Sequence, residues 1–258
     1  MAAHYAEGRE EQRLRGWGRL EFERTRELLA PRLPPPRSVV VDVGGGPGAY
    51  AQWLAGLGHE VHLLDPIELH VAQARAAAHA LDAQVGDARR LPYGDASADV
   101  VLLLGPLYHL TDGADRERAL REAHRILRPG GLLAAATISR YASTFDGLFK
   151  GYLADPAFEQ IVEGGLRSGI HRNTERRERW FTTAYFHRPD ELAQELRGAG
   201  FALEALVAVE GPAAMLPDVD AWLDDPRRRA VLMRALARVE SVPELLGASP
   251  HLLAVARA

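Results

Sequence analysis

The sequence predicts an α/β fold, a doubly wound parallel sheet covered by helices on both faces, and three observations lead to it. Between Ser38 and Ile138, short β-branched apolar runs alternate with amphipathic stretches of helical period. The runs are apolar on both faces, a pattern that only a sheet covered on both sides can bury. The first of them enters a glycine-rich turn, DVGGGPG, which opens a helix. Helices that join parallel strands by right-handed crossovers give the doubly wound arrangement.

The elements follow in order. Glu10 to Leu29 is helix-forming, with Leu20, Phe22, Leu28 and Leu29 as apolar anchors, and it is broken at Gly16 and Gly18 and stopped by Pro34, Pro35 and Pro36. Residues 1–36 are therefore read as an N-terminal helical arm, and 37–258 as the main domain. Strands are expected at Ser38 to Val43, Glu60 to Leu64, Ala83 to Val85, Val100 to Leu104 and Leu132 to Ile138, with helices at Ala49 to Leu57, Glu68 to Ala80 and Ala114 to Leu127. Periodicity then fails over 139–187, a stretch rich in aromatics that is read as an inserted cap or lid. A helix at Arg188 to Ala199, a strand at Ala202 to Val209, a helical stretch at Val219 to Val239 and an apolar run at His251 to Ala256 complete the chain.

Composition narrows the function. The chain has 258 residues, 47% of them hydrophobic, enough for a sizeable core, and a formal charge of -4 that does not gather nucleic-acid phosphates. With no cysteine, disulfides, thiolate metal sites and cysteine nucleophiles are excluded, and no metal site is expected. The N-terminus carries charges from the outset, and no apolar run approaches the roughly 18 residues that would suggest a membrane span. A cytoplasmic protein with a small-molecule partner is the expectation, with no nucleic acid, no membrane and a homodimer as the assembly considered.

The turn DVGGGPGAY lets backbone N–H groups approach a ligand closely. Gly44, Gly46 and Ala49 also satisfy the dinucleotide pattern G-x-G-x-x-G/A, so an NAD(P)-dependent oxidoreductase stands as an alternative. Asp42 begins to separate the two readings, because a carboxylate at the end of the first strand repels a pyrophosphate and attracts an ammonium group.

Together these residues resemble the class I S-adenosylmethionine-dependent methyltransferases. Asp42, Gly44, Gly46 and Gly48 match that family's first block, Asp65 in VHLLDP the acid that holds the ribose hydroxyls, and Asp87 in VGDAR the acid near the adenine. LPYGDASADVVLLLG and ILRPGGLLAAA resemble the approaches to its fourth and fifth strands, so the likeness spans Val39 to Ala136. The resemblance implies a Rossmann-like seven-stranded sheet with its last strand antiparallel, S-adenosylmethionine as cofactor and S-adenosylhomocysteine as product. It implies a donor site made by Asp42, Gly44, Gly45, Gly46, Gly48, Asp65, Pro66, Asp87, Ala88, Leu104 and Gly105. A protein that binds the donor without catalysis is a further alternative.

Methyl transfer to O, N or C of a small metabolite needs an acceptor held in line with the donor methyl and, for an acidic acceptor, a base. His109, in the loop after the fourth strand, is the candidate base, because imidazole titrates near working pH. Tyr108, His171, Tyr185, His187 and Glu210 are candidates for acceptor binding. Arg167, Arg172, Arg176, Arg177 and Arg179 suggest either an anion site or a solvated face. Tyr5, Arg9 and Arg19 of the arm are candidates for donor or acceptor contact.

Overall fold

The computed structural model describes residues 13–14, 16, 18–77, 81–174, 177 and 179–258. Seven strands form one sheet in the order β3-β2-β1-β4-β5-β9-β8. β1 (Val39–Val43), β2 (Glu60–Asp65), β3 (Asp82–Val85), β4 (Ala98–Leu103) and β5 (Leu127–Ile138) are parallel. β9 (His251–Arg257) runs antiparallel between β5 and β8 (Ala202–Ala208), so the last strand has the expected sense. Strand order reverses between β1 and β4, and this is where an open α/β sheet leaves a crevice at its carboxyl edge.

Alternation along the strands divides the core into two layers. Val41, Val101, Leu133 and Ala254 face α5 (Gly113–Ile126) and α8 (Pro189–Gly198), which contribute Leu120, Ile126, Leu192 and Leu196. Val40, Val100, Leu132 and Leu253 face the other way, against Leu28 and Leu29 of α1 (Arg19–Leu29), Leu54 of α2 (Ala49–Gly56) and Val71 of α3 (Glu68–Ala77). Each fully buried leucine or isoleucine contributes about 2 kcal/mol of transfer free energy. Local chemistry sets the helix ends. α5 begins one residue before the expected start because the Asp112 side chain accepts from the Ala114 N–H at 2.8 Å.

Two expectations change. The helical stretch Val219 to Val239 is two helices, α9 (Val219–Asp224) and α10 (Pro226–Ala237), because Asp225 is extended and accepts from the N–H groups of Arg227 and Arg228 while Pro226 occupies the first turn. Segment 139–187 has regular structure that its pattern hides: α6 (Ala142–Phe149), α7 (Pro156–Ser168) and the short antiparallel pair β6 (Ile170–His171) and β7 (Ala184–Tyr185). Its two ends are joined at the sheet, where Arg140 N–H donates to the His187 carbonyl at 2.7 Å and His187 N–H to the Ile138 carbonyl at 2.8 Å. Phe158, Val162 and Trp180 give it a small core of its own. Two short helices, α4 (Pro106–His109) and α11 (Pro243–Leu246), complete the α-helices among the described residues. Among the described residues, no helix is long and apolar enough to cross a membrane.

Candidate functional site

The carboxyl ends of β1, β2 and β4 open onto a cavity of about 640 Å³. Gly44 turns the chain out of β1 with φ +70°, its N–H donates to the Leu64 carbonyl at 2.6 Å, and a Cβ there would meet Pro106 Cδ at 3.0 Å. At Gly45 the constraint is space, since a Cβ would fall 2.6 Å from Asp42 Oδ2 and 2.9 Å from Leu63 Cδ1. Gly45→Ala is expected to cost about 1–3 kcal/mol of stability through this crowding, measured by thermal unfolding. An unchanged midpoint would show that the loop relaxes freely.

Three strand-end carboxylates line the cavity, each in a different state. Asp42 is 1% exposed, and its oxygens make no full hydrogen bond, the Ala51 N–H in the first turn of α2 only approaching them. Burial, reinforced by the charge of Asp65, pushes its pKa up to about 7. Asp65 is buried and bonded on both oxygens: Oδ2 accepts from Gly46 N–H at 2.9 Å, and Oδ1 accepts from Ile67 N–H at 2.9 Å and faces His70 Nδ1 at 3.1 Å. It is thus the turn residue ahead of α3 as well as a wall of the cavity. Asp87 is half-exposed and clasped by Arg89, which holds its carboxyl below the usual range and also reaches Asp115 at 2.8 Å.

Gly46, Pro66, Ala88, Leu104, Gly105, Tyr108 and His109 line the same cavity, so most of the expected site converges. Gly48 does not. It caps α2 with φ +89° and packs its backbone toward Ala74 and Leu63. His109 ends α4, with its ring 4.6 Å from Tyr108 and stacked at 19° on Phe181, 6.2 Å away.

The other acceptor candidates are taken up by the scaffold and do not line the cavity. His171 is buried between Ser143 Oγ (2.8 Å from Nδ1) and the Phe181 carbonyl (3.1 Å from Nε2), and burial lowers its pKa to about 4, so it stays neutral. His187 is fully buried with Nε2 3.2 Å from Glu195; burial holds its pKa low against that carboxylate. Tyr185 lies beneath the Arg116 guanidinium, 3.7 Å from the ring centroid, and donates to Glu191. Glu210 accepts from Ser249 Oγ at 3.0 Å and pairs with His251 at 2.5 Å. Arg19 pairs with Glu23 and Asp224, away from the cavity, and Arg177 and Arg179 pair with Asp155. The cap aromatics Phe158 and Trp180 pack on each other, 5.1 Å apart, instead of walling the cavity. Tyr5, Arg9 and Arg176 lie outside the described residues.

Several lining residues carry no sequence signal: Arg13, Glu21, Tyr50 and His70. Glu21 belongs to a cluster with Glu210 and His251 whose ligand atoms lie within 4.8 Å of one another. Arg13 sits 2.5 Å from Glu21, and against its own burial His251 is pushed up to about 9 by Glu210 and Glu21. The cluster is therefore an alternating ion-pair network of Arg13, Glu21, protonated His251 and Glu210, with its cations already in place. Its members come from the segment before α1, from α1, from β9 and from the turn after β8, so local pattern could not have assembled them.

Residues 41–135 match the family described as "Methyltransferase domain". The demethylmenaquinone methyltransferase of Deinococcus radiodurans is 31% identical over 222 residues, covering 83% of each chain. The ubiquinone/menaquinone biosynthesis C-methyltransferase UbiE of Rubrivivax gelatinosus is 36% identical over 108 residues, 41% of each chain. The methyltransferase GfsG of Streptomyces halstedii is 34% identical over 161 residues, 59% of this chain and 53% of its own. With these last two, the match spans only about half of the relative's length. Among solved structures, an S-adenosylmethionine-dependent methyltransferase from Thermotoga maritima superposes with a TM-score of 0.64 at 21% identity, covering 100% of this chain and 99% of that one.

Proposed function

Because this chain belongs to the class I S-adenosylmethionine-dependent methyltransferases, we propose that it transfers a methyl group to O, N or C of a small metabolite. S-adenosylmethionine is the cofactor of this family and S-adenosylhomocysteine its product. The observation that carries the reading is the Asp42 carboxylate, buried at the end of β1 against the cavity with no full hydrogen bond and no cation beside it among the described residues. A buried carboxylate without a partner is costly and suits a ligand that brings a cation. The ammonium group of the donor does so, and the pyrophosphate of a dinucleotide would add further negative charge beside Asp42 and Asp65.

On this reading Gly44, Gly45 and Gly46 let the backbone approach the methionine moiety, Asp65 and Pro66 border the ribose, and Asp87, Ala88 and Leu104 border the adenine. Gly105, Tyr108 and His109 lie toward the acceptor. The bound donor supplies an electrophilic methyl group with a neutral thioether as leaving group. The chain must then hold the acceptor in line, keep water out and take up any proton released. Tyr108, packed with Ile138 and Phe186, gives this side an apolar wall, and His109 beside it is the proton acceptor on the acceptor side of the cavity. The relative named as a C-methyltransferase supports carbon as the methylated atom.

Calorimetry with S-adenosylmethionine is the direct test. Asp65→Ala is expected to weaken donor binding by roughly 1–3 kcal/mol through lost charge-assisted hydrogen bonds. Unchanged affinity would remove Asp65 from the donor site. NADH fluorescence with no donor signal would return the oxidoreductase reading, and donor binding without S-adenosylhomocysteine release across an acceptor panel would leave a binding protein.

A further inference from the structure

His70, five residues beyond Asp65, is a buried histidine on the core-facing side of α3 beside Val71 and Ala74. Its ring lines the cavity and places Nδ1 3.1 Å from Asp65 Oδ1. Asp65 thereby gains a third partner besides the Gly46 and Ile67 N–H groups. A carboxylate has about four acceptor positions, two on each oxygen. Ile67 and His70 fill those of Oδ1, and Gly46 fills one of Oδ2, which leaves a single position, on the oxygen next to the glycine loop.

We infer that His70 is a positioning residue: by occupying Oδ1 together with Ile67, it fixes the rotation of the Asp65 carboxylate so that the open position of Oδ2 meets a ribose hydroxyl of the donor. The inference rests on the ribose role proposed for Asp65. The two backbone donors give each oxygen one bond, from turns on either side, about a terminal torsion that is intrinsically broad and roughly two-fold. The imidazole, held in a packed helix, adds a second bond on Oδ1 and narrows that torsion further. A leucine would fill a similar volume and withdraw the donor, whereas an asparagine offers an amide N–H near the place of Nδ1.

The test uses the whole chain and two ligands, S-adenosylhomocysteine and its analogue lacking both ribose hydroxyls, with affinities measured by calorimetry. The parent is expected to prefer the hydroxylated ligand. His70→Leu should lose roughly tenfold in affinity for that ligand while binding the analogue within about twofold of the parent, and His70→Asn should recover most of the loss. A His70→Leu variant that keeps the parental preference overturns the inference. So does one that weakens both ligands equally, since that is the mark of a general packing role. A parent that binds S-adenosylhomocysteine but shows no preference overturns it together with the ribose role of Asp65, and a parent that does not bind it strikes the donor reading itself.

Discussion

Asp42→Asn is expected to make the free protein more stable at alkaline pH while weakening donor binding. The Asp42 pKa of about 7 lies above its ordinary 3.8, so between those values the folded state keeps a proton that the unfolded chain has released. Stability therefore falls as pH rises from 3.8 through 7, by on the order of 4 kcal/mol in full at about 1.4 kcal/mol per pKa unit. The amide has no such titration, although its own unpaired N–H groups return part of the gain. Urea unfolding across a pH series should show the variant's advantage growing through neutrality and vanishing in acid. Identical pH slopes for variant and parent would contradict the burial argument. The same substitution should weaken the donor by roughly ten- to a hundredfold, because the ammonium group loses a charged acceptor. Binding at neutral pH should also release a proton from the parent and not from the variant, visible as a buffer-dependent enthalpy.

His109→Ala should lower turnover by roughly a hundredfold or more, the usual range for loss of a positioned acid or base, and leave donor affinity within a few fold. His109 lies on the cavity wall after β4, beside Tyr108, while the donor-side acids belong to other strand ends. Its ring lies nearly parallel to that of Phe181, at 19°. Release of S-adenosylhomocysteine at saturating donor measures turnover, and calorimetry measures the donor. Full activity in the variant would retire His109 as the base, and a parallel collapse of donor binding would reassign it to the donor site.

Much of the sheet was legible because its signals are local. β1, β2 and β4 are short apolar runs closed by Asp42, Asp65 and Leu104, and DVGGGPG announces a turn in a few consecutive residues. Convergence of Asp42, Asp65 and Asp87 on one cavity then follows from parallel strands that all end at the same edge. Four of the acceptor candidates lie off the cavity for the opposite reason. His171, Tyr185 and His187 are polar residues in a stretch without period and Glu210 follows the end of a strand, and sequence cannot tell a side chain that faces a cavity from one that holds the scaffold. Their partners lie far along the chain: Ser143 for His171, Arg116 for Tyr185, and His251 for Glu210. Arg116 with Glu195 and Arg140 with Glu191 tie α5, segment 139–187 and α8 together in the same way.

The sequence by itself determined the strand-end acids, the glycine turn and the family to which they belong, because each depends on residues adjacent in the chain and on a period that neighbouring positions reveal. Only the tertiary structure decided that Asp42 is buried without a full hydrogen bond, that Asp65 is held by Gly46, Ile67 and His70, and that Arg13 and Glu21 of the cavity wall form one network with His251 and Glu210. Burial and pairing are properties of what packs around a side chain, and those neighbours come from strands and helices that only the folded sheet brings within hydrogen-bonding distance.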